Sequence, residues 1–586
     1  MPVDRPAHDA PAWPPRFAAA YRRDGVWDDA TLFELLVDAA TRHATREALV
    51  DGGRTWTHAE LVVEVEALAA GLRTRLDAGD RVVVQLPNCA EAVLTTLACF
   101  AAGTVPVWTL PQHREHELAA LAGHCGARAL VTSGTYRDYD HEALGHRVRD
   151  RLGHLEHVVV VGEPRDPRSV RFTDLPRGAG GSSPLVRRGP ASADEIAVLI
   201  PSGGTTGASK VVPHTHNDLG HMLRAAGAAC RFDHTSRYLV VLPVGHGFAN
   251  TGPGILGTLV AGGTVVVSPS PAPETALRLA VRHRATATSV VPAVLARWVE
   301  HLEAHPDEAP SFVLVQSGAA YLAPGLAAAA ERLTGCVVQQ VYGMSEGMTC
   351  VTRVDDPLEV RRHTQGTPIS PADELRVVDD DGVEVPDGHV GTLSARGPYT
   401  IRGYYRSPEA DRRAFTPDGW YVTGDLVVRR PDGRVVVKGR TGDTINRGGE
   451  KVSADEVEQI LREHGDVDEC AVVAMPHDAY GEEVCAFVVC GSRAVGHDEV
   501  VEHLRAAGLA EFKLPKQVFP LHALPLTGIG KIDRRRLRAV AARAQDAARP
   551  SPVAPSGTEP CRAPAAALAS VTVAPHEGPT GNEGRP

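Results

Sequence analysis

From Arg81 the chain alternates short apolar runs with longer amphipathic ones, and that alternation most limits what it can fold into. Arg81-Val82-Val83-Val84-Gln85-Leu86 has the length and β-branched content of a buried strand. Ala90 to Ala102 follows as a helix stopped by Gly103, and Val105-Pro106-Val107-Trp108 returns as a second strand. The unit repeats. Further strands are expected at 128–132, 157–162, 196–200, 238–242, 264–268, 286–291 and 311–315, with helical patterns between most of them. A helix from Thr31 to His43 precedes the series. Strands that alternate with helices bury both faces of a largely parallel sheet, so the fold class is α/β. No repeat of solenoid type is present.

The texture changes near 373–440, where Asp380-Asp381-Gly382, Pro386-Asp387-Gly388, Pro417-Asp418-Gly419 and Pro431-Asp432-Gly433 mark turns between short strands. A small antiparallel β unit is expected there. Beyond it, Ser453 and Glu456 form a capping-box pattern ahead of a helix carrying Val457, Ile460 and Leu461. Strands at Ala471–Ala474 and Val484–Val489 and a helix at Asp498–Ala507 make a second compact α+β unit ending near 545. Residues 546–586, rich in Ala, Pro and Gly, lack periodicity and are expected to be disordered.

At 586 residues and a formal charge of −11, with no dense basic run, the chain is not built for nucleic acid. No apolar stretch reaches the length of a membrane span, and Met1-Pro2-Val3-Asp4-Arg5 does not begin a signal peptide. Ten cysteines spaced singly suit a reducing, cytoplasmic setting.

Several stretches carry candidate chemistry. Ser202-Gly203-Gly204-Thr205-Thr206-Gly207-Ala208-Ser209-Lys210 lies between the strand at 196–200 and a helix read over Thr215–Ala229. Its glycines and hydroxyls suit a phosphate cradle with Lys210 at the far edge; a flexible polar loop has the same composition. No Gly-Lys-Ser/Thr closes it, which disfavours a P-loop kinase. Val341-Tyr342-Gly343-Met344-Ser345-Glu346 presents a ring and a carboxylate in one turn, and Tyr421-Val422-Thr423-Gly424-Asp425 places a carboxylate after a strand. Gly439-Arg440 ends the β unit, and Lys531 follows two glycines in an apolar loop. Each alone is equally an ordinary turn or a solvated charge.

Together and in this order the stretches resemble the adenylate-forming superfamily, above all stand-alone aryl-acid adenylating enzymes of the 2,3-dihydroxybenzoate–AMP ligase type. Gln85-Leu86-Pro87-Asn88, Thr215-His216-Asn217-Asp218, Arg396 to Tyr405, Ile445 to Lys451 and Lys513-Leu514-Pro515-Lys516 carry the same look. The resemblance implies an AMP-binding domain over 13–440, of two α/β subdomains plus a small β-barrel-like one, and a small mobile C-terminal domain over 441–545. It implies ATP and Mg2+ as cofactors. An aromatic acid would be joined to AMP with release of pyrophosphate, then passed to the phosphopantetheine thiol of a separate carrier protein; an aryl-CoA ligase is the alternative. A non-catalytic nucleotide-binding protein of the same fold is disfavoured by intact Lys210, Glu346, Asp425, Arg440 and Lys531. The roles it implies give Ser202, Gly203, Gly204, Thr205, Thr206, Gly207 and Lys210 to the β- and γ-phosphates and Glu346 to the metal. Gly318, Ala319, Tyr342 and Gly343 would bracket the adenine. Asp425 and Arg440 would hold ribose and phosphate, and Lys531 would bridge the acid and the α-phosphate. Gly442 would be the hinge, and Gly448, Gly449 and Lys451 would serve the thioester step.

The acid pocket would be lined by His246, Gly247, Phe248, Gly252, Met348 and Thr349, with His246 at the carboxylate or ring. Dihydroxybenzoate and salicylate ligases usually carry Asn at the position of Gly247 and a larger residue at Gly252. The departure implies a larger, less polar pocket that suits a differently substituted or bicyclic aryl acid, unless a neighbour refills the space.

Overall fold

The computed structural model describes residues 9–175, 192–202, 210–320, 322–379, 381–440, 444–491, 493–525 and 532–548. The expected alternation builds two sheets side by side. In the first, parallel strands Val337–Met344, Leu314–Gly318, Ala287–Val290, Arg237–Val240, Thr264–Val267 and Glu47–Asp51 form the centre, with antiparallel strands at both edges. In the second, Ile196–Ser202, Val105–Trp108, Arg81–Gln85, Ala129–Ser133 and His157–Val161 run parallel. The helix Ala90–Ala102 is buried along its whole length between these layers, which explains its lack of a polar face. Gly103, at φ +76°, ends it in the left-handed conformation that a side chain would disfavour.

One local reading changes. After the glycine-rich stretch the chain does not pass directly into a helix. Lys210–Thr215 first returns as a strand antiparallel to Ile196–Ser202, with Ser202 paired to Lys210. The run Val211-Val212-Pro213 is buried, and Thr215 then caps the helix His216–Ala229 in a capping box with Asp218. Lys210 therefore opens a sheet strand rather than closing a loop.

The expected β-barrel-like unit is a four-stranded antiparallel meander of Glu374–Val378, Val390–Arg396, Tyr421–Arg429 and Val435–Arg440. From Thr444 a separate sheet of Glu450–Ser453, Thr444–Arg447, Gly481–Cys490 and Val467–His477, joined by Gln517–Leu521, packs its own core around Val457, Leu461, Val472 and Val488. Here the capping box is half made. Ser453 accepts the Glu456 N–H at 3.3 Å, but the Glu456 carboxylate turns away to Lys513 at 2.9 Å. Among the described residues no helix is long and apolar enough to cross a membrane.

Candidate active site

Two hairpins at the edges of the two large sheets meet, and Glu346 is where they touch. Ser202, the last residue before the turn of the first hairpin, donates its hydroxyl to Glu346 Oε1 at 2.9 Å. Tyr404 donates its phenol to the same oxygen at 3.1 Å. Glu346 is 3 % exposed. Burial pushes its carboxyl up, but the Lys451 charge and the hydroxyls of Ser202 and Tyr404 outweigh burial and hold it below the usual carboxylate range. The turn beyond is locked by close approach. Gly347 sits at φ +100°, and a Cβ there would stand 1.8 Å from the Tyr399 carbonyl oxygen, so no side chain fits. Its neighbour Glu346 accepts the Ile401 N–H through the main chain at 2.9 Å.

His214, on the returning strand, ties the hairpins together a second time. It reaches Ser345 O through Nε2 at 2.7 Å and Asp218 Oδ1 through Nδ1, also at 2.7 Å. Lys210 lies beside this junction with its ammonium 5.0 Å from the Tyr404 ring centre. Burial lowers its pKa, against the opposing charge of Glu346. On the far side Tyr342 donates to Asp425 Oδ2 at 2.6 Å, which orients a carboxylate only 3 % exposed. Gly318 and Ala319 border the same space.

The acid-pocket candidates gather next to Glu346. His246 caps the short helix Gly247–Thr251, its Nδ1 accepting the Phe248 N–H at 3.1 Å. Burial, reinforced by the Lys451 charge, pushes the imidazole down to about 4. His246 is therefore neutral, with its proton on Nε2. A Cβ at Gly247 would make ordinary van der Waals contact, 3.6 Å from Ser345 Oγ and 3.9 Å from Ile200. At Gly252 a Cβ would press on the Phe248 ring at 3.2 Å, so Phe248 refills what that glycine gives up. Of the two glycines, Gly247 is the one where a small side chain would meet no tight contact. Met348 and Thr349 pair with Met344 and Gly343 across the second hairpin and are buried.

The 444–453 segment approaches the same space. Asn446 donates its side-chain amide to Ala319 O, and Gly449 (φ +96°) lies against Val291 and Ala319. Lys451 projects its charge onto both Glu346 and His246. A cleft of about 360 Å3 opens between Pro111, Gln112, Arg114, Tyr136, Arg137 and His141 on one side and Arg447, Glu511, Phe512 and Lys516 on the other.

Gly203 to Gly207, Gly442 and Lys531 lie outside the described residues, as does the side chain of Arg440. Sequence reasoning missed His214 and the phenol of Tyr404. Tyr404 sits inside a stretch already singled out; His214 carries no local signal, because its partners Ser345 and Asp218 meet only in the fold.

This geometry has counterparts in known proteins. The family model described as AMP-binding enzyme matches residues 36–405, and that of the AMP-binding enzyme C-terminal domain matches 456–531. The chain is 47% identical over 541 residues to a 2-hydroxy-7-methoxy-5-methyl-1-naphthoate–CoA ligase of Streptomyces carzinostaticus, covering 91% of this chain and 97% of the relative. It is 39% identical to the 2,3-dihydroxybenzoate–AMP ligase of Bacillus subtilis (strain 168), over 90% of this chain and 96% of that one. Among solved structures, apo MbtA of Mycobacterium smegmatis superposes with a TM-score of 0.69 at 38% identity, over 91% of this chain and 98% of that one. By sequence and by fold, the chain belongs to the AMP-binding enzyme family.

Proposed function

We propose that this enzyme joins an aromatic carboxylic acid to AMP at the expense of ATP, releasing pyrophosphate, and passes the acyl group to a phosphopantetheine thiol. One observation carries the reading: Ser202 and Lys210, which flank the glycine-rich stretch, the Glu346 carboxylate and the Tyr342–Asp425 pair come together near Gly247. A carboxylate resists attack by a thiol because its leaving group would be oxide, so activation must come first. The acid's oxygen attacks the α-phosphorus and pyrophosphate leaves. Bringing these like charges together makes neutralisation and positioning the main work of the protein. Lys210 and the donors from Ser202 to Gly207 hold the outer phosphates. Asp425 accepts from ribose hydroxyls, Tyr342 and the Gly318–Ala319 turn bracket the base, and Arg440 and Lys531 complete the charge around the α-phosphate. The Nε2–H of His246 faces the acid as a neutral donor.

Mg2+ suits this site. Glu346 is an ionised, buried carboxylate with neutral hydroxyls as hydrogen-bond donors, beside the residues given to the phosphates. That is the pattern of an ion held by one carboxylate and substrate phosphates. When bound it would offset phosphate charge. The domain limits 13–440 and 441–545, the pivot at Gly442, the tail at 546–586 and a cytoplasmic site of action belong to the same reading. The cationic cleft formed by Arg114, Arg137, Arg447 and Lys516 suits the phosphate-bearing arm of the acceptor, a chemistry that a carrier protein's phosphopantetheine and CoA share.

The missing side chain at Gly247, with 47% identity to a naphthoate–CoA ligase, favours a bicyclic or substituted aryl acid. Acid-dependent ATP–pyrophosphate exchange across a panel tests this. A hydroxynaphthoate is expected to exceed 2,3-dihydroxybenzoate in kcat/KM, and Gly247→Asn to reverse the order by about 10- to 100-fold. A clear preference of the unaltered enzyme for 2,3-dihydroxybenzoate rejects the enlarged pocket. No exchange with any aryl acid rejects the activation itself.

A further inference from the structure

The C-terminal unit touches the rest of the protein at a second place, and charged groups dominate it. There the segment Gly508–Lys513 lies against the start of the helix Glu115–Cys125. Glu117 is the centre of the contact. Its Oε2 accepts the Arg114 N–H of its own helix cap at 3.0 Å. Its Oε1 accepts the Ala510 N–H from the C-terminal unit at 2.7 Å and lies 3.6 Å from Lys513 Nζ. Lys513 also stands 2.9 Å from both oxygens of Glu456 within its own unit. The side chains of Glu117, Lys513 and Glu456 are 4, 7 and 11 % exposed. His113 and Phe512 close the contact from either side, their ring centres 6.4 Å apart.

We propose that Glu117 is a positioning residue for the thioester-forming step: with Ala510 N–H and Lys513 it latches the C-terminal unit in the orientation that places Lys451 beside Glu346 and His246. The inference rests on the function proposed above. Its support is the way the charges are shared. If the units part, Glu117 keeps the Arg114 N–H and Lys513 keeps the Glu456 carboxylate. Neither charge loses its last partner, so separation avoids the heavy penalty of an unpaired buried ion. Docking adds one charge-assisted hydrogen bond and a second carboxylate for the lysine. A permanent interface would bury charge with no partner left on opening. This one favours one orientation and still releases it. The half-made capping box at Ser453 fits the same account: Glu456 has left its local role to hold Lys513 at the interface.

Glu117→Gln keeps a side chain able to cap the helix and removes the charge that Lys513 meets. In the full-length enzyme this variant is expected to leave the thermal midpoint unchanged and ATP–pyrophosphate exchange within about twofold, and to slow transfer from a preformed aryl adenylate to a thiol by about 10-fold. A second readout needs no chemistry at the active site. A Cβ at Gly508 would lie 3.5 Å from His116 Cβ, within disulfide reach. The pair His116→Cys and Gly508→Cys should therefore cross-link under mild oxidation, about 10-fold more slowly when Glu117→Gln is added. The strained φ of +86° at Gly508 is common to both backgrounds and cancels. Unchanged transfer and cross-linking, or equal losses in exchange and transfer, overturn the latch. If the unaltered enzyme transfers to no thiol, the proposed function fails in its second half, and the cross-linking comparison still decides the latch.

Discussion

Glu346 and Glu117 are both buried carboxylates beside a lysine, yet they are held in opposite ways. Glu346 receives Ser202 and Tyr404, and its turn is fixed by Gly347 and Ile401, all from the large unit. Only the compensating charge of Lys451 comes from the C-terminal unit. Glu117 instead divides its oxygens between Arg114 in its own unit and Ala510 in the other. A group that must hold still while phosphates react is over-determined by one rigid body. A group that must let go keeps one partner at home and lends the other. On the proposed rotation of the C-terminal unit, the Glu346 carboxylate would stay in place while its counter-charge is exchanged.

The exchange of counter-charge can be broken most sharply at the two lysines. Lys531→Ala is expected to reduce ATP–pyrophosphate exchange by about 100- to 1000-fold, the usual cost of one electrostatic group aimed at the reacting phosphate. Transfer from a preformed adenylate should survive. Lys451→Ala should show the reverse pattern. Measuring the two half-reactions separately checks both, and equal losses in each variant would mean that one orientation serves both steps.

The sequence made the rigid part of this contrast readable and left the shared part dark. The strands from Arg81–Gln85 to Leu314–Gly318 that carry unbroken apolar runs were readable, because each is buried on both faces; Glu47–Asp51, a parallel strand of the first sheet, was not read. Glu346, Asp425 and Lys210 could be picked out because Glu346 and Asp425 sit beside glycines and Lys210 ends the glycine-rich stretch, where a charge has few structural uses. The strand Lys210–Thr215 was hidden by its length and by Pro213, which reads as a break but is accommodated in an edge strand. Glu117, three residues into its helix, was not singled out at all: its cap bond to Arg114 is local, but its second contact needs Ala510 and Lys513, almost 400 residues away. Glu456 looked like the other half of a capping box, and the pattern was right while the partner was wrong.

A smaller effect sharpens the rigid side. Two adjacent tyrosines are both buried, but only Tyr404 faces the site: its phenol donates to Glu346 and its ring lies under Lys210, whereas Tyr405 donates to Asp9 at 2.7 Å. Tyr404→Phe keeps the ring and removes one donor to the carboxylate. Exchange is expected to fall by about 10-fold, the scale of a hydrogen bond to a charged group, with a raised Mg2+ requirement. Tyr405→Phe should stay within about twofold. Similar losses in both variants would show that Tyr404 acts through packing alone.

The smallest expected effect tests whether the two hairpins are held as one body by charge. Burial works against the His214 imidazolium, but Asp218 beside it, with Ser345 O accepting from Nε2, outweighs burial and raises its pKa above the ordinary 6.5. A raised folded-state pKa means that the folded protein binds the proton more tightly than the unfolded chain. The stabilisation is then fully present below about 6.5 and is lost as pH rises through the higher folded value. Denaturant unfolding of the large unit should therefore show a loss on the order of 1 kcal/mol over that window, the scale of a single net hydrogen bond. His214→Gln can still donate to Ser345 O but cannot titrate, so its stability should be lower at pH 6 and nearly flat above it. The Glu117→Gln variant should keep the slope, since that carboxylate belongs to the other contact. A slope that persists in His214→Gln would place the proton elsewhere and leave Ser202 and Tyr404 as the side chains that bind the hairpins at Glu346.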